Sequence, residues 1–267
     1  MKTLKVLAPL ALLAATSLSL SSCQEKANVE VKNEVSETSI EQIKALGFSA
    51  AGAQKVEGGY IVEGDIMLTN DMLASTPDYK MLRVGQDEQY RTTNLVTGLP
   101  RTITIAVSST LPSAYVTATD EAIRRYNAEG LRITMRRVTS GANITLTKAP
   151  SGASYLASAG FPSGGNPYSQ VLVNSTALGT NYATTTIASV LAHEIGHCIG
   201  FRHTDYMNRA YSCGGRRYNE GASTVGAILI PGTPSAADPN SWMLACIGTG
   251  VNRPFNTNDK TALNYLY

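Results

Sequence analysis

All three histidines of this 267-residue chain fall inside one short stretch, His193-Glu194-Ile195-Gly196-His197-Cys198-Ile199-Gly200-Phe201-Arg202-His203. Imidazoles four apart on a helix share a face, so His193 and His197 can reach one zinc ion. Gly200 can end that helix and let His203 swing back to complete a three-nitrogen set, leaving the fourth coordination position for water. Glu194 then stands where it can take a proton from that water. The bland alternative makes the three histidines ordinary polar or core residues of an amphipathic helix. It leaves unexplained why none occurs elsewhere.

The helix itself can be read from its neighbours. Thr184 or Thr185 can cap its start, and Ile187, Val190, Leu191 and Ile195 recur at three-to-four spacing up to Gly200. This apolar stripe beside the metal face predicts packing that holds His193 and His197 rigid. Cys198 points about 100° away from His197 around the helix, which argues against a thiolate ligand.

The pattern His-Glu-x-x-His-x-x-Gly-x-x-His resembles the metzincin metallopeptidases. The literal run His193-Glu194-Ile195-Gly196-His197, followed by Gly200-Phe201-Arg202-His203-Thr204-Asp205-Tyr206, looks like the bacterial dual-action HEIGH metallopeptidases. Ile230-Pro231-Gly232-Thr233-Pro234 and Asp238-Pro239-Asn240-Ser241-Trp242-Met243 fit the same family, and Val62-Glu63-Gly64-Asp65-Ile66 extends the likeness more weakly upstream. The resemblance implies an α+β, metzincin-like fold, with a mixed twisted sheet and two main helices in an upper lobe and an irregular lower lobe. It also implies a zinc-dependent metalloendopeptidase acting on protein or peptide substrates. One catalytic zinc would be held by His193, His197 and His203, with Glu194 as the general base that activates water and returns the proton to the leaving amine. Met243 would be the turn methionine packed under the histidines, against the bland reading of a core methionine. Some metzincins place a tyrosine two residues after that methionine; Ala245 stands here, which puts a tyrosine-assisted mechanism in doubt. The substrate is expected along an exposed strand edge, Ser169 to Asn174.

Upstream of the motif, Arg101 to Val107 alternates as a strand, and Leu111-Pro112-Ser113 opens a helix to about Glu129 that Gly130 closes. Leu131 to Val138 and Asn143 to Thr147 are further strand candidates. After a Gly/Pro/Ser-rich loop from about Ser151 to Pro167, Ser169 to Asn174 makes a fourth. Periodicity alone shows an α+β mixture; the topology is implied by the resemblance.

At the amino terminus, Lys2 and Lys5 precede an apolar run to Leu20, the shape of a signal peptide and too short for a membrane span. Leu20-Ser21-Ser22-Cys23 resembles a bacterial lipobox, so residues 1–22 read as a lipoprotein signal peptide and Cys23 as a lipidated anchor. The expected destination is the outer membrane or cell surface. Residues 23–55 read as a polar tether, 56–100 as an amino-terminal segment able to act as a prosegment, and 101–267 as the catalytic domain. Removing the signal leaves 245 residues, with 43% hydrophobic content, enough for one large core or two small lobes. A formal charge of +2 makes no strong field. Arg101, Arg124, Arg125, Arg132, Arg136 and Arg137 are interspersed with Asp120, Glu121 and Glu129, so they read as a solvated face and not a nucleic-acid site. The chain is expected to work as a monomer that meets a membrane only through Cys23.

Export permits one disulfide among Cys198, Cys213 and Cys246, and the helical placement of Cys198 favours the other two as partners. No cysteine lies between Gln24 and His197, which excludes a thiolate latch from a prosegment unless Cys23, read as lipidated, supplies it. Asp65 could cover the metal instead; the alternative is a turn aspartate before a strand. Asp238, Asn240, Asn258 and Asp259 could supply calcium ligands, but such residues are usually turn formers. Two rival functions stand beside the peptidase: a zinc hydrolase of a non-peptide bond, and a catalytically silent zinc-containing binding module. Glutamate at 194, where the silent module would tolerate glutamine, favours an enzyme.

Overall fold

The computed structural model describes residues 35–74, 89–222, 225–234 and 237–267. The signal peptide and the Cys23 anchor lie outside them. In chain order the elements are α1 (Glu37–Ala45), β1 (Gln54–Val56), β2 (Gly59–Val62), β3 (Ile66–Thr69), α2 (Asn70–Ala74), β4 (Tyr90–Arg91), β5 (Arg101–Val107), α3 (Ser113–Asn127), β6 (Ile133–Arg137) and β7 (Ile144–Lys148). Then follow β8 (Ala157–Ala159), β9 (Gln170–Val173), α4 (Ser175–Leu178), α5 (Thr184–Cys198), α6 (Ala210–Cys213), β10 (Ile228–Leu229) and α7 (Thr257–Leu266).

Among the described residues one eight-stranded mixed sheet runs in the order β1-β2-β3-β8-β9-β7-β5-β6. Strands β9, β7, β5 and β6 are parallel, while β8 runs antiparallel to β9 and parallel to β3. Within β5, Ile103 and Ile105 are fully buried while the alternating Thr102 and Thr104 are not, the period of a strand with one covered face. The cover is α3 and α5. Tyr115, Ala118, Ala122 and Tyr126 from α3 join Ile187, Leu191 and Ile195 from α5 in one core with the sheet's isoleucines and valines. Arg125 pins the two helices together. Its buried guanidinium donates to Ser189 Oγ (3.1 Å), the Thr185 carbonyl (3.1 Å) and Asn252 Oδ1 (2.9 Å). The solvated face expected for the arginines therefore holds for Arg124, paired with Glu121, and for Arg137, paired with Asp120, but not for Arg125.

Four local expectations change. The start of α5 is capped by neither threonine: Ala183 occupies the N-cap and provides no side-chain bond, the helix being held instead by its buried stripe. The loop from 151 to 167 contains β8, three small residues that gain strand geometry only from neighbours on both sides. Ser169 to Asn174 is a strand but not an edge, because β9 lies between β7 and β8. β8 is itself flanked on its other side by β3, which pairs with it through Ile66 and Ala159. Finally, the polar tether over 23–55 gives way, within the described residues, to α1, capped by the Ser36 hydroxyl and anchored by fully buried Ile43. The sheet continues across the expected boundary at residue 101, with β1 to β3 on one side of β8 and β5 to β7 beyond it.

Candidate metal centre

Helix α5 carries His193, Glu194 and His197 on a turn buried from all sides. It stops in a Schellman motif: the Phe201 N–H bonds the Gly196 carbonyl (2.9 Å) and the Gly200 N–H bonds the His197 carbonyl (2.9 Å). Gly200 adopts φ 110°, and a side chain there would meet the Asn94 carbonyl and Leu95 at 2.7 Å. Only glycine can make this reversal. The strand-like segment that follows bonds β4 through Arg202 N–H and the Tyr90 carbonyl (2.9 Å), and so brings His203 back toward the helix.

The three Nε2 atoms converge, His193 to His197 at 3.0 Å and His197 to His203 at 3.2 Å. Asp65 joins them, with Oδ2 3.2 Å from His203 Nε2 and 3.6 Å from His193 Nε2. Four donors at about 2 Å from one tetrahedral zinc stand about 3.3 Å apart, so this set fits such an ion. The opposite ring nitrogens are all engaged. Nδ1 of His193 meets the Trp242 carbonyl (3.0 Å), Nδ1 of His197 the Phe201 carbonyl (2.8 Å), and Nδ1 of His203 both Glu220 oxygens (3.0 Å). Carbonyl acceptors require N–H at Nδ1, which leaves Nε2 lone pairs facing one another, an arrangement a cation resolves.

Electrostatics follow from burial and the carboxylates. Burial, then the neighbouring His193 and His203, hold His197 well below the ordinary imidazole value. For His203 burial pulls the same way, but Asp65 and Glu220 outweigh it and raise the group well above that value. Glu194 is raised well above the usual carboxylate range by burial and then by Asp65. Its Oε2 has no partner, and neither do Asp65 Oδ1, Tyr155 Oη and Trp242 Nε1. All four residues line one cavity of about 270 Å³. A reacting group entering it meets polar atoms that are already desolvated and aimed.

Met243 lies under the site. It is fully buried, its carbonyl accepts from Thr204 N–H (3.0 Å), and a methyl group on Gly196 would fall 2.6 Å from its Sδ. Trp242 packs on Phe201, Tyr126 and Phe255 while its carbonyl orients His193. Cys213 and Cys246 form the disulfide, and Cys198 is a buried free thiol. The four residues considered for calcium make turns and caps instead: Asp238 accepts from Asn256 and Asn258 side chains, and Asp259 closes the capping box of α7.

Sequence reasoning missed the charged shell behind His203. Arg202, 1% exposed, pairs with Glu63 (3.0 Å), and Arg209 pairs with Glu220 (2.6 Å) and bonds the Glu63 carbonyl. Glu63 sits at φ 53° in the β2–β3 turn, so this shell grips the turn that presents Asp65. Glu63 lay in a segment already marked by its likeness to the family; Glu220, in a polar glycine-flanked loop, carried no signal.

The dual-action HEIGH metallopeptidase family model matches residues 60–267, most of the described chain and all of this site. The chain belongs to that family. It is a zinc metallopeptidase by class, a hydrolase. Among solved structures, a crystal structure of myroilysin is similar at 16% identity and a TM-score of 0.41, covering 70% of this chain and 98% of that one. A hatching enzyme zinc-protease, high choriolytic enzyme 1 from the medaka fish Oryzias latipes, is similar at 17% identity and a TM-score of 0.35, covering 62% and 88%. No curated protein matches the chain in sequence.

Proposed function

We propose that this metallopeptidase is an endopeptidase in which His193, His197 and His203 hold one catalytic zinc and Glu194 is the general base. The observation that carries this is the convergence of three Nε2 atoms within 3.2 Å of a neighbour, each ring fixed from behind, beside an unpartnered Glu194 oxygen. When bound, zinc supplies Lewis acidity toward water and the substrate carbonyl. The chain does the rest. Trp242, Phe201 and Glu220 hold the imidazoles in one tautomer, and the core around α5 excludes bulk water. Glu194 takes the proton from water through its free Oε2 and delivers it to the leaving amine; burial keeps its basicity high enough for both transfers.

The purified protein should hold one zinc per chain and cleave casein, with cleavage abolished by a chelator and reduced at least ~100-fold in Glu194→Gln. Bound zinc without cleavage would favour a silent module or a hydrolase of another bond. A Glu194→Gln protein as fast as its parent refutes the base.

Asp65 adds a latch to this reading. Its carboxylate takes the fourth place among the donors, while the Asp65 carbonyl accepts from Ala159 N–H (2.9 Å), so the β2–β3 turn covers the imidazoles and is tied to the end of β8. On this reading residues 56–100 act as a prosegment. Asp65→Ala should raise activity of the full-length protein, and unchanged activity would remove the latch. The exported, Cys23-anchored form belongs to the same proposal; radiolabelled palmitate incorporated by the parent and not by Cys23→Ala is the expected result.

A further inference from the structure

The cavity beside His193 and Glu194 has one wall from α5, where Ser189 and Val190 precede His193 by one helical turn, and a facing wall from Ala245, Cys246 and Ile247. Arg253 is a cation on this lining. Its backbone is fixed, the N–H bonding Ser189 Oγ (2.8 Å) on the same helix turn. Its guanidinium spends one N–H on the Cys246 carbonyl (3.0 Å), and no carboxylate lies within 4.0 Å of it among the described residues. The two acids whose charge acts on it, Asp205 and Asp259, are hydrogen-bonded elsewhere. Asp205 accepts from the Ala245 N–H and the Ser212 hydroxyl, and Asp259 from Trp242 N–H, Ser241 and Gln89. A half-buried, unpaired guanidinium is a costly thing to build into a cavity wall unless an anion visits it. By area the lining is mostly apolar, with Val190, Leu244, Ala245 and Ile247 suited to the methylene stem of a short acidic side chain; of its other charged residues Arg209 is paired with Glu220, while Asp65 and Glu194 stand beside the histidines.

We propose that Arg253 sets the cleavage specificity of this site by receiving an aspartate or glutamate side chain from the substrate residue next to the cleaved bond. The inference rests on the peptidase reading of the centre and names its substrate class: proteins cut beside an acidic residue. Planar N–H donors matched to a carboxylate favour the acid over its amide by the strength of a charge-assisted pair.

Two measurements test it separately. In cleavage, the zinc-loaded full-length Asp65→Ala protein is given a peptide pool, and cut sites should be enriched in Asp or Glu at one fixed flanking position. Replacing that residue by Asn should lower kcat/KM about 10- to 100-fold. In Arg253→Gln the ratio between the Asp and Asn peptides should fall to about one, and Arg253→Glu should turn the preference toward Lys and Arg. In binding, the Asp65→Ala/Glu194→Gln protein is titrated calorimetrically with matched Asp, Asn and Lys peptides, which needs no turnover. The Asp peptide should bind about 10-fold or more tightly, and Arg253→Gln should erase the difference. Cleavage with no acidic preference, or an Asp-to-Asn ratio unchanged in Arg253→Gln, overturns the assignment. Discrimination in binding without chelator-sensitive cleavage would instead support Arg253 and overturn the peptidase reading.

Discussion

Gly196, the third residue between His193 and His197, is where packing and helix propensity oppose each other. A Cβ added there would lie 2.6 Å from Met243 Sδ, 3.3 Å from Trp242 Cζ2 and 3.4 Å from Met243 Cε. Contact between such atoms is comfortable only near ~3.5–4 Å, so the overlap with the sulfur is roughly 1 Å. Met243 is fully buried and Trp242 is 2% exposed and wedged among Phe201, Tyr126 and Phe255, so neither can retreat into solvent. Overpacking of this kind costs about 1–3 kcal/mol, while alanine in a helix interior gains about 1 kcal/mol over glycine. Packing wins by about 1 kcal/mol, which for a chain of this size lowers Tm by about 2–4 °C. Met243→Ala alone should cost about 2–5 kcal/mol, but in that background the Gly196→Ala change has room and should become stabilising. The sign reversal between backgrounds, a coupling of about 1–3 kcal/mol, is read from urea unfolding of the four proteins in a double-mutant cycle. If Gly196→Ala stabilises the parent, as propensity alone demands, or changes stability equally in both backgrounds, the argument that this glycine exists to seat Met243 is wrong.

Chelation should lower Tm of the zinc-loaded parent by roughly 10 °C, the shift expected when about 4 kcal/mol of ligand stabilisation is removed from a chain of this size; the same shift in His197→Ala would place the ion elsewhere. Arg125→Lys should lose about 2 kcal/mol in urea unfolding, because one ammonium cannot replace a fork that reaches Ser189, Thr185 and Asn252 together, and a loss under 0.5 kcal/mol would refute the bridging role. Asp259 is raised by burial to about 6 despite its backbone and side-chain donors. A carboxyl raised on folding adds stability that is full below its ordinary value of 3.8 and is lost as pH rises through about 6, so the parent should gain stability between pH 7 and 4 relative to Asp259→Asn, by up to about 3 kcal/mol. Parallel stability–pH curves for the two proteins would count against the shift.

What could be read from the chain divides by the range over which each feature is decided. The metal helix, its stop at Gly200 and the return of His203 follow from residues within eleven positions of one another, and β5, α3, β6 and β7 follow from local alternation and a Pro and Gly at their ends. The Cys213–Cys246 bond was favoured because the third thiol was already placed on α5. Features decided by distant partners were misread. Alternation in Ser169 to Asn174 shows a strand, but whether its edge is free depends on β8, whose three small residues have no pattern of their own. A charge in sequence reads as solvated unless its partner is known, and Arg202 meets Glu63 across 139 positions of chain. Helix α1 was hidden for the same reason: its apolar residues are too few to announce an amphipathic face, and Ile43 is buried only because β2, β3 and Phe161 supply the other half of its core. The covered state of the centre therefore depends on pairings between residues distant in the chain. Those between Asp65 and the imidazoles, and between Glu63 and Arg202, are the ones that displacement of the β2–β3 turn would break first, leaving the short-range helix and its three ring nitrogens intact.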